Sequence, residues 1–219
     1  MKALNVARQP GRVFTAEEEK MNTVIHGLGV LFGMVAIPFL INSAARNNDF
    51  NNILRVAVYG ISFLATFTLS TLYHSMQGGK TKERFEKFDR ISIYFFIAGS
   101  YTPFVLYYMH DQTGVLLLTA VWAFVVLGIL YEMYLVNRFF ILSVFFYLLM
   151  GWMFAFVSKQ FFAMMPSIVI TLILSGIVLY SVCVIFFVWQ KWKYHHAIWH
   201  AFVLAASICH YLAVLKTVA

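Results

Sequence analysis

The sequence predicts an all-α integral membrane protein: a bundle of seven transmembrane helices with its N-terminus in the cytoplasm and its C-terminus outside. Three observations carry that prediction. Hydrophobic residues make up 62% of the 219-residue chain and charged residues only 11%, whereas a soluble domain carries about 25% charged residues. Stretches free of Asp, Glu, Lys and Arg recur seven times, each long enough to supply the roughly 20 residues a spanning helix needs. Finally, the basic residues between those stretches are distributed unequally between the two sides of the membrane.

The apolar windows are Met21–Ala45, Val56–Gly79, Ile91–His110, Gln112–Tyr131, Phe139–Ser158, Gln160–Gln190 and Tyr194–Leu215. They are apolar all round and do not alternate, which selects helices over the strands of a closed barrel. Short polar connectors separate them, including Lys80–Arg90 and Glu132–Arg138. Residues 1–20 read as a cytoplasmic N-terminal segment without the apolar core of a signal peptide, and 21–219 as a single transmembrane domain. Pro166 suits the first turn of the sixth helix, which leaves Phe161–Met165 as an interfacial loop. Pro38 and Pro103 fall inside the first and third windows and predict kinks.

With the N-terminus inside, the inner segments hold twelve of the sixteen Lys and Arg residues and the outer segments four, namely Arg46, Arg55, Lys159 and Lys216. This is a positive-inside bias. The net charge of +7 is thus explained by topology, and a nucleic-acid partner is excluded because the basic residues form no groove or repeat. Cys183 and Cys209 lie inside apolar runs and indicate no disulfide framework.

This topology brings distant polar residues to one membrane depth. His74 falls near the inner end of helix 2, and His196 and His200 at the inner start of helix 7. His26 falls one turn into helix 1, and Asp89 just before helix 3. His196 and His200 are i and i+4, so both rings leave one helix face. With His74 they offer three nitrogens and an open fourth position, the arrangement of catalytic zinc. No cysteine lies at this depth, and imidazole ligands suit zinc. Polar stripes run behind these ligands: Ser62, Thr66, Ser70 and His74 on helix 2; His196, His200, Ser207 and His210 on helix 7; Glu19, Asn22 and His26 on helix 1, continuing into Gly29 and Gly33. Such stripes should face one another and not lipid, with Glu19, Asn22 and His26 supporting the ligands. Plainer roles suit other residues. His110 reads as an exposed loop end, His195 as interfacial, His210 as a hydrogen-bonding group in the bundle, and Lys80–Arg90 as a charge run facing lipid headgroups.

The segments Ser70–His74 (STLYH), Phe88–Phe104 (FDRISIYFFIAGSYTPF), His196–His210 (HAIWHAFVLAASICH) and Glu18–Gly27 (EEKMNTVIHG) resemble the hemolysin III family. That family is the bacterial branch of the progestin and adipoQ receptors and is related to alkaline ceramidases. The resemblance extends from about Glu17 to the C-terminus. It implies a seven-helix protein of the bacterial inner membrane that holds zinc through His74, His196 and His200. It further implies that Asp89 works on water at the zinc, beside the motif serine Ser70.

The function expected is a zinc-dependent intramembrane hydrolase of a lipid amide or ester, linked to membrane lipid homeostasis, with Asp89 and Ser70 catalytic. The alternative is a non-catalytic membrane sensor or regulator whose zinc is structural. A pore-forming hemolysin ranks below both, because no charged stripe crosses the full membrane. The topology is directly testable: a reporter active only in the cytoplasm, fused after Ala219, is expected to stay silent, and a strong signal would overturn the seven-span arrangement.

Overall fold

The computed structural model describes residues 14–46, 50–135, 141–189 and 191–219. Among these the chain forms helices α1 (Ala16–Ala45), α2 (Phe50–Ser75), α3 (Lys80–Tyr108), α4 (Gln112–Tyr134), α5 (Ile141–Gly151), α6 (Ser158–Phe162), α7 (Ser167–Val188) and α8 (His195–Val218), and no strand. A 3-10 turn, Met153–Val157, joins α5 to α6, and the three together make one span. Seven helical segments are therefore long and apolar enough to cross a membrane.

Neighbours in sequence are mostly neighbours in space. α1 packs on α2, α2 on α3, α3 on α4 and α7 on α8, while α8 returns to α1. α5 fills the gap beside α3 and α4 and meets α7 only sparsely. The bundle is inside-out relative to a soluble protein. Val35, Ile61, Val115 and Phe156 stand exposed on its outer face, whereas Asn22, His26, Thr66, Ser70, His74 and Ser207 are buried. Only a hydrocarbon solvent makes that arrangement favourable. Close helix approach depends on glycine at Gly29 and Gly33, where an added Cβ would overlap the rings or side chains of Phe67, Phe63 and Leu64 on α2.

Several element boundaries differ from the sequence reading. α1 starts at Ala16, ahead of the apolar window, because Thr15 and Glu18 form a reciprocal capping box. Lys80–Arg90 is not a connector but the first turns of α3. Its charged residues are good helix formers, and Glu86 pairs with Arg90 one turn on at 2.6 Å. Counting uncharged residues finds only the lipid-embedded part of such a helix. Asp89 consequently sits well inside α3, not ahead of it. Of Phe161–Met165, only Ala163–Met165 is a turn between helices. Phe161 and Phe162 belong to α6, and Phe161 and Met165 are buried in the apolar core. Pro166 does stand at the head of its helix, as the cap residue of α7. Pro38 and Pro103 lie inside α1 and α3.

Glu132 is likewise no connector residue. It lies inside α4 and is fully buried. Its carboxylate accepts from Arg90 Nε at 2.8 Å and from Ser143 Oγ at 2.6 Å. The Tyr147 hydroxyl donates to the Arg90 carbonyl at 3.0 Å. One acid thus joins α3, α4 and α5. Removing one partner of a buried ion pair strands the other, at a cost of about 3–5 kcal/mol. Glu132→Ala is therefore expected to lower the thermal unfolding temperature of the detergent-solubilised protein far more than Ser143→Ala does, and a wild-type unfolding curve for Glu132→Ala would count against this clamp.

Candidate metal centre

The turn before α8 sets the position of its first residues. Tyr194 adopts a left-handed conformation (φ 62°), uncommon for a residue with a side chain. The His195 ring is buried, and its Nδ1 lies 2.8 Å from the Phe186 carbonyl of α7. His195 is therefore an anchor between α7 and α8 and not an interfacial residue. The next residue, His196, is turned onto the same face as His200.

His74, at the end of α2, meets this pair. The three histidines each offer a ring nitrogen, and these atoms lie within 4.8 Å of one another. His74 and His200 are almost fully buried. Their Nε2 atoms are 3.1 Å apart. Two nitrogens bound to one zinc at roughly 2.0–2.1 Å in tetrahedral geometry would be separated by about 3.3 Å. The His74–His200 pair fits a zinc-class metal on that spacing, with His196 within 4.8 Å as the third donor.

The tautomers support the same reading. His74 Nδ1 lies 2.6 Å from a Glu19 carboxylate oxygen, so the proton belongs on Nδ1 and the Nε2 lone pair is free. His200 Nδ1 lies 2.5 Å from His26 Nε2. When His200 donates there, its Nε2 lone pair also points at His74 Nε2. Two facing lone pairs repel unless a cation lies beside them. A carboxylate or other acceptor on the far nitrogen of a ligating histidine is the common way to orient the ring. Asn22 is completely buried, and its side-chain amide lies 3.4 Å from His74 Nδ1 with Oδ1 unpaired. Exchanging the amide oxygen and nitrogen would give that N–H a second acceptor.

Asp89 and Ser70 stand beside the triad. The Ser70 hydroxyl, fully buried, faces the Asp89 carboxyl without a closed hydrogen bond, and His74 lies within electrostatic range of that carboxyl. Glu19, Asn22, His26, Ser70, His74, Asp89, His196 and His200, the site residues expected from the sequence, thus meet at one end of the bundle. Three contributors were not singled out. Lys82 pairs with the second Glu19 oxygen and donates to the Met76 carbonyl at 2.9 Å. Phe14 packs against the His196 ring at 4.6 Å between centroids. Arg90 lies next to Asp89 and is held by Glu86 and Glu132. Extending the helical reading of α3 back through its i,i+4 charge pairs would have brought Lys82 and Arg90 to this end.

A cavity of about 230 Å³ leads away from the triad into the bundle. Ser70, Asp89, His196 and His200 line its polar end, and Ile173, Ile177 and Phe161 its apolar end.

Fold and site together define a seven-helix membrane protein with a buried three-histidine centre of metal-binding geometry. The chain belongs to the Haemolysin-III related family, whose model matches residues 14–211. It is 40% identical over 203 residues to a Bacillus subtilis protein named Hemolysin-3 homolog, covering 93% of this chain and 95% of that one. It is 35% identical over 199 residues to Hemolysin-3 of Bacillus cereus, covering 91% of each. A human protein, Monocyte to macrophage differentiation factor, is 29% identical over 174 residues, covering 73% of this chain and 68% of that one. No solved structure matches the chain.

The hydrogen bond that Glu19 accepts from His74 makes a prediction distinct from simple ligand loss. Glu19→Ala keeps all three imidazoles but frees the His74 ring, so zinc affinity is expected to fall about 10–100-fold. Competition against a chromophoric chelator measures this. Unchanged affinity would remove Glu19 from the centre.

Proposed function

We propose that the protein is a zinc-dependent hydrolase of lipid amides or esters, held in the bacterial cytoplasmic membrane with its N-terminus inside. The observation that carries this reading is the junction of the histidine triad, Asp89 and Ser70 with the mouth of an apolar cavity. A purely structural metal needs no such cavity beside it.

Zinc held by three neutral imidazoles supplies Lewis acidity toward a carbonyl and toward water. The chain's own groups have the remaining tasks. His74 and His200 are braced by Glu19 and His26, which keep each ring's far nitrogen engaged. Asp89 is the acid–base group: its carboxylate takes a proton from the attacking water and passes it to the leaving amine or alcohol. Ser70, on α2 one turn before His74, keeps its O–H available for the carbonyl oxygen as charge builds there. The apolar walls hold the acyl chain and exclude water.

The charge asymmetry puts this end at the inner leaflet, at the depth of a lipid's headgroup linkage. A second, open groove lies between α5 and α7, and Leu148, Trp152, Ser181 and Val184 line both it and the cavity. Sparse α5–α7 packing makes this seam the route by which a lipid enters from the side.

Asp89→Asn is expected to keep zinc and fold yet lose release of free fatty acid, with a drop of at least about 100-fold, the usual worth of a general acid–base group. Mass spectrometry of lipid panels incubated with wild-type, Asp89→Asn and zinc-stripped protein reads this out. No excess product from the wild type would leave the regulator reading, in which zinc staples α2 to α8.

A further inference from the structure

Deep in the same cavity, α8 carries one polar group that the proposed chemistry does not use. His210 is only 8% exposed, and neither ring nitrogen has a hydrogen-bond partner. The Ile173 carbonyl of α7 faces the ring without closing a hydrogen bond. The other polar groups nearby are satisfied among themselves. The Tyr180 and Ser207 hydroxyls are paired at 2.8 Å, and Tyr59 donates to the Ser207 carbonyl at 3.3 Å. His210 lines the cavity that begins at the triad. Its ring is packed edge-on against Tyr180 at 5.5 Å and occupies the space left by Gly176, where a Cβ would strike it.

The position is expensive. His210 follows His200 by ten residues, or about 15 Å along the helix axis. With the triad at the inner boundary, that depth is near the middle of a hydrocarbon core about 30 Å thick. An unsatisfied polar group there carries the full cost of desolvation. A group arriving in the cavity with the complementary hydrogen bonds would recover it.

We propose that His210 is a recognition subsite for a hydroxyl group partway along the acyl chain of the bound lipid. A neutral imidazole presents one N–H donor and one bare nitrogen acceptor. A hydroxyl can answer whichever nitrogen faces the cavity, accepting from the N–H or donating to the bare nitrogen, whereas a carbonyl can answer only the N–H, and a charged group is too costly at this depth. The register follows from length. An extended chain with C–C bonds of about 1.5 Å spans 15 Å in about twelve carbons, so a chain whose carboxyl end sits at the triad brings the region of its twelfth carbon to His210. The inference rests on the acyl-cavity reading of the site, and it assigns that cavity a preference.

The test compares octadecanoate with 12-hydroxyoctadecanoate binding to the purified, zinc-loaded protein in detergent, by equilibrium dialysis of the labelled acids. The wild type is expected to bind the hydroxy acid about tenfold more tightly, the worth of satisfying one buried polar group. His210→Leu should erase that preference while still binding octadecanoate, with zinc content unchanged. Its unfolding temperature should not fall, because the substitution removes an unpaired polar group. Equal binding of the two acids by the wild type, as when His210 is merely watered, overturns the subsite alone, as does a preference that survives in His210→Leu. Binding of neither acid overturns the acyl-cavity reading and the subsite with it. The wild-type comparison needs no variant to fold.

Discussion

Inside hydrocarbon a polar side chain must find another polar side chain, because no water is present to stand in. That constraint organises this bundle. α1 turns Glu19, Asn22 and His26 inward, α2 turns Ser70 and His74 inward, and α8 turns His196, His200, Ser207 and His210 inward. The contacts that result, Glu19 with His74 and His26 with His200, join helices 55 and 174 residues apart in sequence. The same rule acts a second time where Arg90, Glu132 and Ser143 tie α3, α4 and α5 together.

The two clusters have different chemical characters. The Arg90 cluster is closed: each charge has an opposite charge and each carboxylate oxygen of Glu132 a donor. The histidine cluster is open. Two Nε2 atoms face each other, the Ser70 hydroxyl is unengaged, and the cavity begins there. Closed networks hold helices in register, whereas convergent, incompletely satisfied groups beside a cavity are where ligands and chemistry are found. The closed cluster lies one residue from Asp89, so the clamp that fixes α3 also fixes the height of the acid at the open site.

Much of the site was legible because topology acts like a ruler. Once spans are counted, His74 at the end of one helix and His196 at the start of another must lie at a common depth, and i,i+4 spacing puts His200 on the face of His196. The reading failed where a helix leaves the lipid. Charged residues mark the membrane boundary but not the end of a helix. α3 therefore starts at Lys80, eleven residues ahead of its apolar window, Glu132 lies within α4, and Lys82 reaches Glu19 from the added turns of α3. Helical charge pairs such as Glu86–Arg90 continue a helix beyond the apolar stretch at little cost, and hydropathy does not register them.

By itself the sequence determined the class of protein, the seven apolar spans and the set of histidines able to meet, because hydrophobic length and helical period are local properties of the chain. Only the tertiary structure decided which nitrogen of each ring faces the shared centre, that His195 anchors α8 to α7, and that His210 stands unpaired beside a cavity. Those outcomes depend on helix rotation and on the distances between neighbouring helices, and both are set by packing among residues far apart in the chain.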